Sequence, residues 1–382
     1  MIERGYLRAF ALSAVVLLAL FFAVTFVVDP YGVSPLRLAW PGINTVKPKR
    51  LAIDRLIKPY EVWRDQPRAV FLGTSRLHEG IDPAVLDGTR FAPAYNASMP
   101  GATLAEMAGE LEQFFRLDGK LRAVFVELFL FNFVSDQPVP PPKSLPALVQ
   151  EMTQDLAPLF LSASAIPDSL QTLLVNLAGR PAATIAPRGQ WVPAANARFT
   201  FHAEAAIAYY VNEHTTRLKG MALKPQAFAA LDRIVALCRE HDAELVLMIA
   251  PSHPWDEYRF WSFGQWPLMD EWVRRLSTYS NVLSFAQYNA AVAEPVTPSM
   301  TYWYDTLHFN PRLGQMMLRA FLGAADANTP ANLMREVTPT TVESVLQEHR
   351  AEMSRWISEN PEYPAAFERT KARVEARGGA TH

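Results

Sequence analysis

The sequence predicts an α/β domain with a parallel sheet, carried behind a single N-terminal membrane-spanning helix. Three observations lead there. Short apolar runs alternate with amphipathic segments, as in chains whose parallel strands are joined by helical crossovers. One of those runs, Ala123 to Phe129, is almost wholly apolar, as expected of a strand covered on both faces. And 20 consecutive uncharged residues, Ala9 to Val28, stand apart near the N-terminus.

The whole chain has 382 residues, half of them hydrophobic, with 36 Lys and Arg against 38 Asp and Glu. That composition excludes a disordered chain. A net charge of −2 also argues against nucleic acid as a partner, because phosphate binding calls for a basic surplus. Cys238 is the one cysteine, so no intrachain disulfide holds the fold, and such sparing use fits an oxidising compartment.

The uncharged run is long enough as a helix to cross roughly 30 Å of hydrocarbon. Arg4 and Arg8 precede it and Asp29-Pro30 ends it. The positive-inside rule then leaves residues 1–29 as a cytoplasmic stub and transmembrane anchor, with everything beyond Asp29 outside. A cleaved signal peptide and a buried core helix are the competing readings. The run is long for a signal, and Phe26-Val27-Val28-Asp29 offers no small-x-small cleavage site.

Residues 30–67, rich in proline and basic residues, read as a juxtamembrane connector. The main domain occupies 68–326. Its first strand is Ala69 to Leu72, stopped by Gly73, and a second lies around Ala94 to Ala97. A helix over 103–117 follows, with Thr103 as N-cap and Glu106 at the capping-box position. After the third strand, 135–220 opens with a proline cluster and shows helical pieces without a clear strand; it reads as an insertion or cap. A helix over 225–241, a strand from Glu244 to Ala250, a helix near 267–279 and a short strand at Val282–Phe285 restore the alternation. The tail, 327–382, is polar and helical, and Thr340-x-x-Glu343 has the form of a capping box.

Ligands of open parallel sheets bind beyond the carboxyl ends of the strands. Those ends carry Gly73-Thr74-Ser75-Arg76, then Asn96-Ala97-Ser98-Met99-Pro100-Gly101, then Asn132, then Ser252-His253, and finally Asp305-Thr306-Leu307-His308. This is the inventory of a serine-nucleophile site. Ser75 is the candidate nucleophile and His308 the base that takes its proton. Asp305, three residues away, would fix the imidazole tautomer and stabilise the imidazolium. Backbone N–H groups at Ser75 and Gly101, with an Asn side chain, would hold the oxyanion. Arg76, Asn96 and His253 are candidate substrate contacts at the same rim.

Each element has a plainer reading. Ser75 alone is a helix cap, Asp305 and His308 a capping pair ahead of the helix near Pro311, and Gly101 a turn glycine. His253 is more readily a loop histidine than a second rim residue, and Ser98 is a rival nucleophile whose place inside a turn favours backbone hydrogen bonding. The histidines are scattered and the cysteine lacks partners at ligand spacing, so neither metal nor cofactor is expected.

Taken together in this order, the motifs resemble the SGNH/GDSL hydrolase superfamily. Phe71-Leu72-Gly73-Thr74-Ser75-Arg76 is similar to its first block, with Thr74 where many members carry Asp. Tyr95 to Thr103 is similar to the second block, and Asp305-Thr306-Leu307-His308-Phe309 to the last. The third block departs: the family's Gly-x-Asn-Asp is replaced by Leu128-Phe129-Leu130-Phe131-Asn132, in which Asn132 stands for the family's Asn. The resemblance implies a flavodoxin-like, three-layer fold, Ser75, His308 and Asp305 as a triad, and Ser75, Gly101 and Asn132 as the oxyanion hole.

The anchor, Asp29-Pro30-Tyr31-Gly32 at its outer end and the late Asp-x-x-His-Phe further resemble membrane-anchored envelope proteins, including those of alginate O-acetylation and teichoic-acid D-alanylation. The implied function is a serine acyltransferase or esterase acting on acyl esters, acetyl above all, of cell-envelope glycans. The protein would sit in the bacterial inner membrane with its catalytic domain in the periplasm and a membrane-bound O-acyltransferase as candidate partner. The alternatives are a non-catalytic glycan-binding or assembly factor, and a lipid-directed esterase.

Overall fold

A computed structural model describes residues 2–36, 38–194, 197, 202–216 and 218–379. The connector, the insertion and the tail each include a few positions outside these. In chain order, helix α1 (Ile2–Val28) and helix α2 (Asp54–Asp65) precede strand β1 (Ala69–Leu72) and helix α3 (Ser75–Gly80). Then come β2 (Ala94–Asn96), α4 (Leu104–Leu117), β3 (Ala123–Leu128), α5 (Leu145–Leu161), α6 (Ala165–Leu177), β4 (Thr184–Ile185), β5 (Trp191–Val192) and α7 (Ala203–Thr216). The remainder is α8 (Pro225–Glu240), β6 (Glu244–Ile249), α9 (Pro254–Ser262), α10 (Trp266–Leu276), β7 (Val282–Ser284), α11 (Pro311–Phe321), β8 (Arg335–Glu336), α12 (Val342–Glu359) and α13 (Glu362–Gly379).

The described residues form two compact units. The larger comprises 67–115, 120–141 and 198–382, and holds the main sheet, ordered β2-β1-β3-β6-β7-β8. The first five strands run parallel, with β1 and β3 in register from Ala69↔Ala123 to Leu72↔Val126. Strands β1, β2 and β3 are buried at every residue, because helices cover both faces. Phe71 and Phe125 stack at 4.7 Å, and Leu77, Ile81, Leu313 and Met317 pack over that side.

The tail differs from the reading given above in two respects. Arg335–Glu336 adds an antiparallel sixth strand against β7, too short and polar to announce itself. The Thr340–Glu343 capping box does not form: α12 begins at Val342, its N-cap is Thr341 without a side-chain cap, and Glu343 instead pairs with Arg274. Helices α12 and α13 lie on α9 and α10, where Trp356, Tyr363 and Phe367 surround Tyr258.

The smaller unit comprises 1–66, 116–119 and 142–197. The segment 135–220 is therefore divided between the two units. Most of it packs with the stretch that reads as a connector, which itself holds α2. The reason is an apolar cluster: Tyr31, Val33, Ile57, Tyr60 and Ala165 are buried together, with Met152, Leu156 and Phe160 against them. The region also contains a strand pair, β4 with β5, where the sequence shows no clear strand; two residues apiece are below what periodicity reveals.

Candidate active site

The candidate nucleophile, Ser75, sits where β1 gives way to α3. Gly73 is needed there for want of space: a Cβ would come within 2.9 Å of both Glu127 Oε2 and Leu77 Cδ2. Thr74 is the N-cap of α3, its hydroxyl accepting from the Arg76 N–H at 3.3 Å. Glu127, wholly buried on β3, accepts from the Thr74 N–H at 2.6 Å and from its hydroxyl at 2.8 Å. The same carboxylate faces Arg76 at 3.7 Å, and that guanidinium lies over the Phe129 ring and donates to Pro251 O. A buried ion pair thus fixes the turn that presents Ser75.

Ser75 Oγ lies 2.9 Å from His308 Nε2. On its other side, His308 Nδ1 lies 2.9 Å from Asp305 Oδ2 and 3.1 Å from Oδ1. Asp305 accepts only, so Nδ1 carries the proton and Nε2 is left to accept from the serine hydroxyl. The loop is held tightly: Asp305 Oδ1 also accepts the Leu307 and His308 N–H groups at 2.7 Å, and Tyr304 N–H donates to His308 O. Burial works to lower the His308 pKa, but the hydrogen bond and charge of Asp305, with Glu79 adding to them, outweigh it and raise the pKa above the ordinary imidazole value. Burial likewise opposes ionisation of Asp305, yet His308 and the two backbone donors keep its pKa below the usual carboxylate range. The cap of α11 is Asn310, which accepts from Arg312 N–H, so Asp305 and His308 do not serve as its capping pair.

Two glycines let α3 and α11 meet closely enough for this contact. A Cβ on Gly314 would stand 1.9 Å from Gly80 O, and one on Gly80 would stand 2.1 Å from the Phe309 ring.

Ser75, Gly101 and Asn132 line one cleft of about 500 Å³. Gly101 has φ +69°, where a side chain would strain the backbone. Asn132 lies in the 3₁₀ turn Leu130–Val134, is largely buried, and its Nδ2 donor has no hydrogen-bond partner. An unmatched buried donor at that place is what an oxyanion would complete.

The remaining candidate residues of the rim are engaged within the protein. Asn96 is fully buried, donating to Leu77 O at 2.8 Å and Ile81 O at 2.9 Å, so it ties α3 to the sheet and offers nothing to a substrate. His253 is buried as the N-cap of α9, accepting from Trp255 N–H and bonding Glu294 O; it does not line the cleft. Arg76 does line the cleft, but its guanidinium is taken up by Glu127, Pro251 and Ser252. Ser98 is buried in its turn, with its hydroxyl toward Phe71 O.

Sequence reasoning missed the cleft's far wall. Tyr209 and Glu213 of α7 and Arg259 of α9 form it. Arg259 is buried, paired with Glu213 and Asp256 at 2.6 Å each, beneath the rings of Phe131 and Tyr210. Tyr210 also meets the Thr306 hydroxyl at 2.6 Å, bracing the loop that carries His308. Glu127, the one charge within the apolar strand β3, was the signal in the sequence for the ion pair with Arg76 beneath Ser75. Among the described residues no cluster of three or more His, Cys, Asp or Glu is arranged to hold a metal ion.

No protein-family model and no curated protein matches the chain. Among solved structures, a chain from Streptococcus pneumonia provisionally described as a platelet activating factor is similar at 13% identity and a TM-score of 0.36, over 72% of this chain and 94% of its own.

Proposed function

We propose that this chain is a membrane-anchored serine acyltransferase or esterase of the SGNH type, acting outside the cytoplasm on acyl esters, acetyl above all, of cell-envelope glycans. The observation that carries it is the unbroken relay from Ser75 Oγ through His308 to Asp305 beside an unmatched Asn132 donor. Counted within the main sheet alone, the parallel strands follow the order 2-1-3-4-5, which supports a flavodoxin-like fold with its site at the strand ends.

His308 Nε2 takes the Ser75 proton as Oγ attacks the ester carbonyl, and Gly101, Asn132 and the Ser75 N–H, which share the cleft, would receive the oxyanion. Collapse breaks the ester C–O bond. His308 returns the proton to the departing sugar oxygen and leaves acyl-Ser75. Water or a second sugar hydroxyl, deprotonated by His308, then takes the acyl group and restores the serine. The anchor reading rests on α1, whose residues Gly5–Val28 are long and apolar enough to cross a membrane, with Arg8 in the first turn of that stretch and no charge from Ala9 to Val28.

The direct test is a fluorophosphonate probe on the detergent-solubilised full chain. Wild type is expected to label and Ser75→Ala to lose all label, while Ser98→Ala keeps it. A wild type that never labels, or a Ser75→Ala variant that labels equally, refutes the proposal and leaves a non-catalytic assembly role. Release of acetate from acetylated glycan, set against hydrolysis of lysophospholipid, separates the glycan reading from a lipid-directed one.

A further inference from the structure

Helix α6 in the smaller unit is inside out. Its inward face is polar: Asp168 takes the Tyr31 hydroxyl at 2.5 Å and Lys49 at 3.0 Å, and Asn176 binds Thr45 Oγ1 and the Val46 backbone. Ser169 and Thr172 are buried with them. The outward face carries Ile166, Leu170, Leu174 and Leu177, which are 53 to 70% exposed. Leu161, just before the helix, is 64% exposed and extends the patch. Helices of water-soluble proteins have the opposite arrangement.

Two further observations say what covers this face. From Leu156 to Gly179 the one ionisable side chain is Asp168, which is turned inward, so the outward face of α6 itself carries no charge. The end of α5 also sits directly against the end of α1. Phe160 packs on Phe22 and Phe26, and Thr25 Oγ1 donates to Phe160 O. That contact begins six residues before the end of α1 at Val28, about 9 Å along the helix. The end of α5, and α6 which follows it, therefore lie against the last turns of α1.

We infer that α6 and the end of α5 lie in the outer interface of the bilayer that α1 spans, with Ile166, Leu170, Leu174 and Leu177 in lipid. This rests on the anchor reading given above. At 13 residues α6 is too short to span, so it lies along the surface as an interfacial helix. Because the face is uncharged, insertion needs no anionic headgroup and resists high salt.

The test is a nitroxide placed at Leu174→Cys, at Leu170→Cys and, separately, at Leu17→Cys in the full chain, reconstituted into vesicles of phosphatidylethanolamine and phosphatidylglycerol. Cys238 is buried and takes no label. Collisions with dissolved oxygen are expected to exceed those with an aqueous nickel chelate at 170 and 174, as at 17, with or without added salt. Nickel dominance at 170 and 174 alone overturns the inference and leaves the anchor standing. Exclusion of both reagents there overturns it in favour of a protein partner on this face. Nickel dominance at 17 as well overturns the anchor reading and this inference together.

Discussion

Gly314→Ala tests whether the helix contact beneath the site sets its geometry. The added methyl carbon would stand 1.9 Å from Gly80 O, where ordinary carbon–oxygen contact needs about 3.3 Å. The shortfall is about 1.4 Å, and the obstacle is backbone, so no rotamer change relieves it. Helix α3 carries Ser75 at its first residue, and α11 starts three residues after His308. Parting the two helices therefore lengthens the 2.9 Å contact between Ser75 and His308 beyond hydrogen-bond reach. A misplacement of about 1 Å costs on the order of 100-fold in rate, and overpacking costs about 1–3 kcal/mol of stability. The assay is the rate of fluorophosphonate labelling together with the thermal midpoint of the full chain. Gly119→Ala is the control, since a Cβ there meets nothing. Labelling and melting of Gly314→Ala that both match wild type would refute the argument.

Asp305→Asn should slow acylation by about 10⁴-fold, because the amide no longer holds the working imidazole tautomer. Its residual activity should persist to lower pH: with the carboxylate gone, the force that raises the His308 pKa is gone, so the neutral base survives further into acid. Asn132→Ala should lose about 10²-fold in acylation with little change in melting, since its Nδ2 has no protein partner to leave stranded. Glu127→Gln should destabilise by about 3–5 kcal/mol, by leaving Arg76 buried and uncompensated, which denaturant unfolding would detect. His253 is held neutral by burial, its pKa lowered to about 4. Between that value and its unfolded pKa of about 6.5 the unfolded chain binds a proton that the folded chain refuses, so stability falls as pH drops through this window. His253→Gln should flatten that acid loss, measurable as unfolding midpoints across pH.

What the sequence disclosed depended on how far each feature was a matter of pattern. Strands β1, β3 and β6 are apolar runs between breakers, and the rule that sites form beyond strand ends was enough to gather Ser75, Gly101, Asn132, Asp305 and His308. The same rule also named Asn96 and His253, since standing at a rim says nothing about which way a side chain turns. Both turn inward to satisfy backbone groups. Strand β8 exists because β7 offers an edge, and no property of Arg335 or Glu336 announces that. Arg259 and Glu213 escaped notice for a different reason: they come together at the cleft only by pairing across two separate helices, α9 and α7.

The relay that joins Ser75 to His308 closes a loop of 233 residues. At roughly 5–20 residues per second of synthesis, the serine emerges some 10–50 s before its base exists. Throughout that interval it is an ordinary alcohol, inert toward every ester it meets. Chain order thus acts as a timer, withholding reactivity until almost the whole domain is available to enclose it.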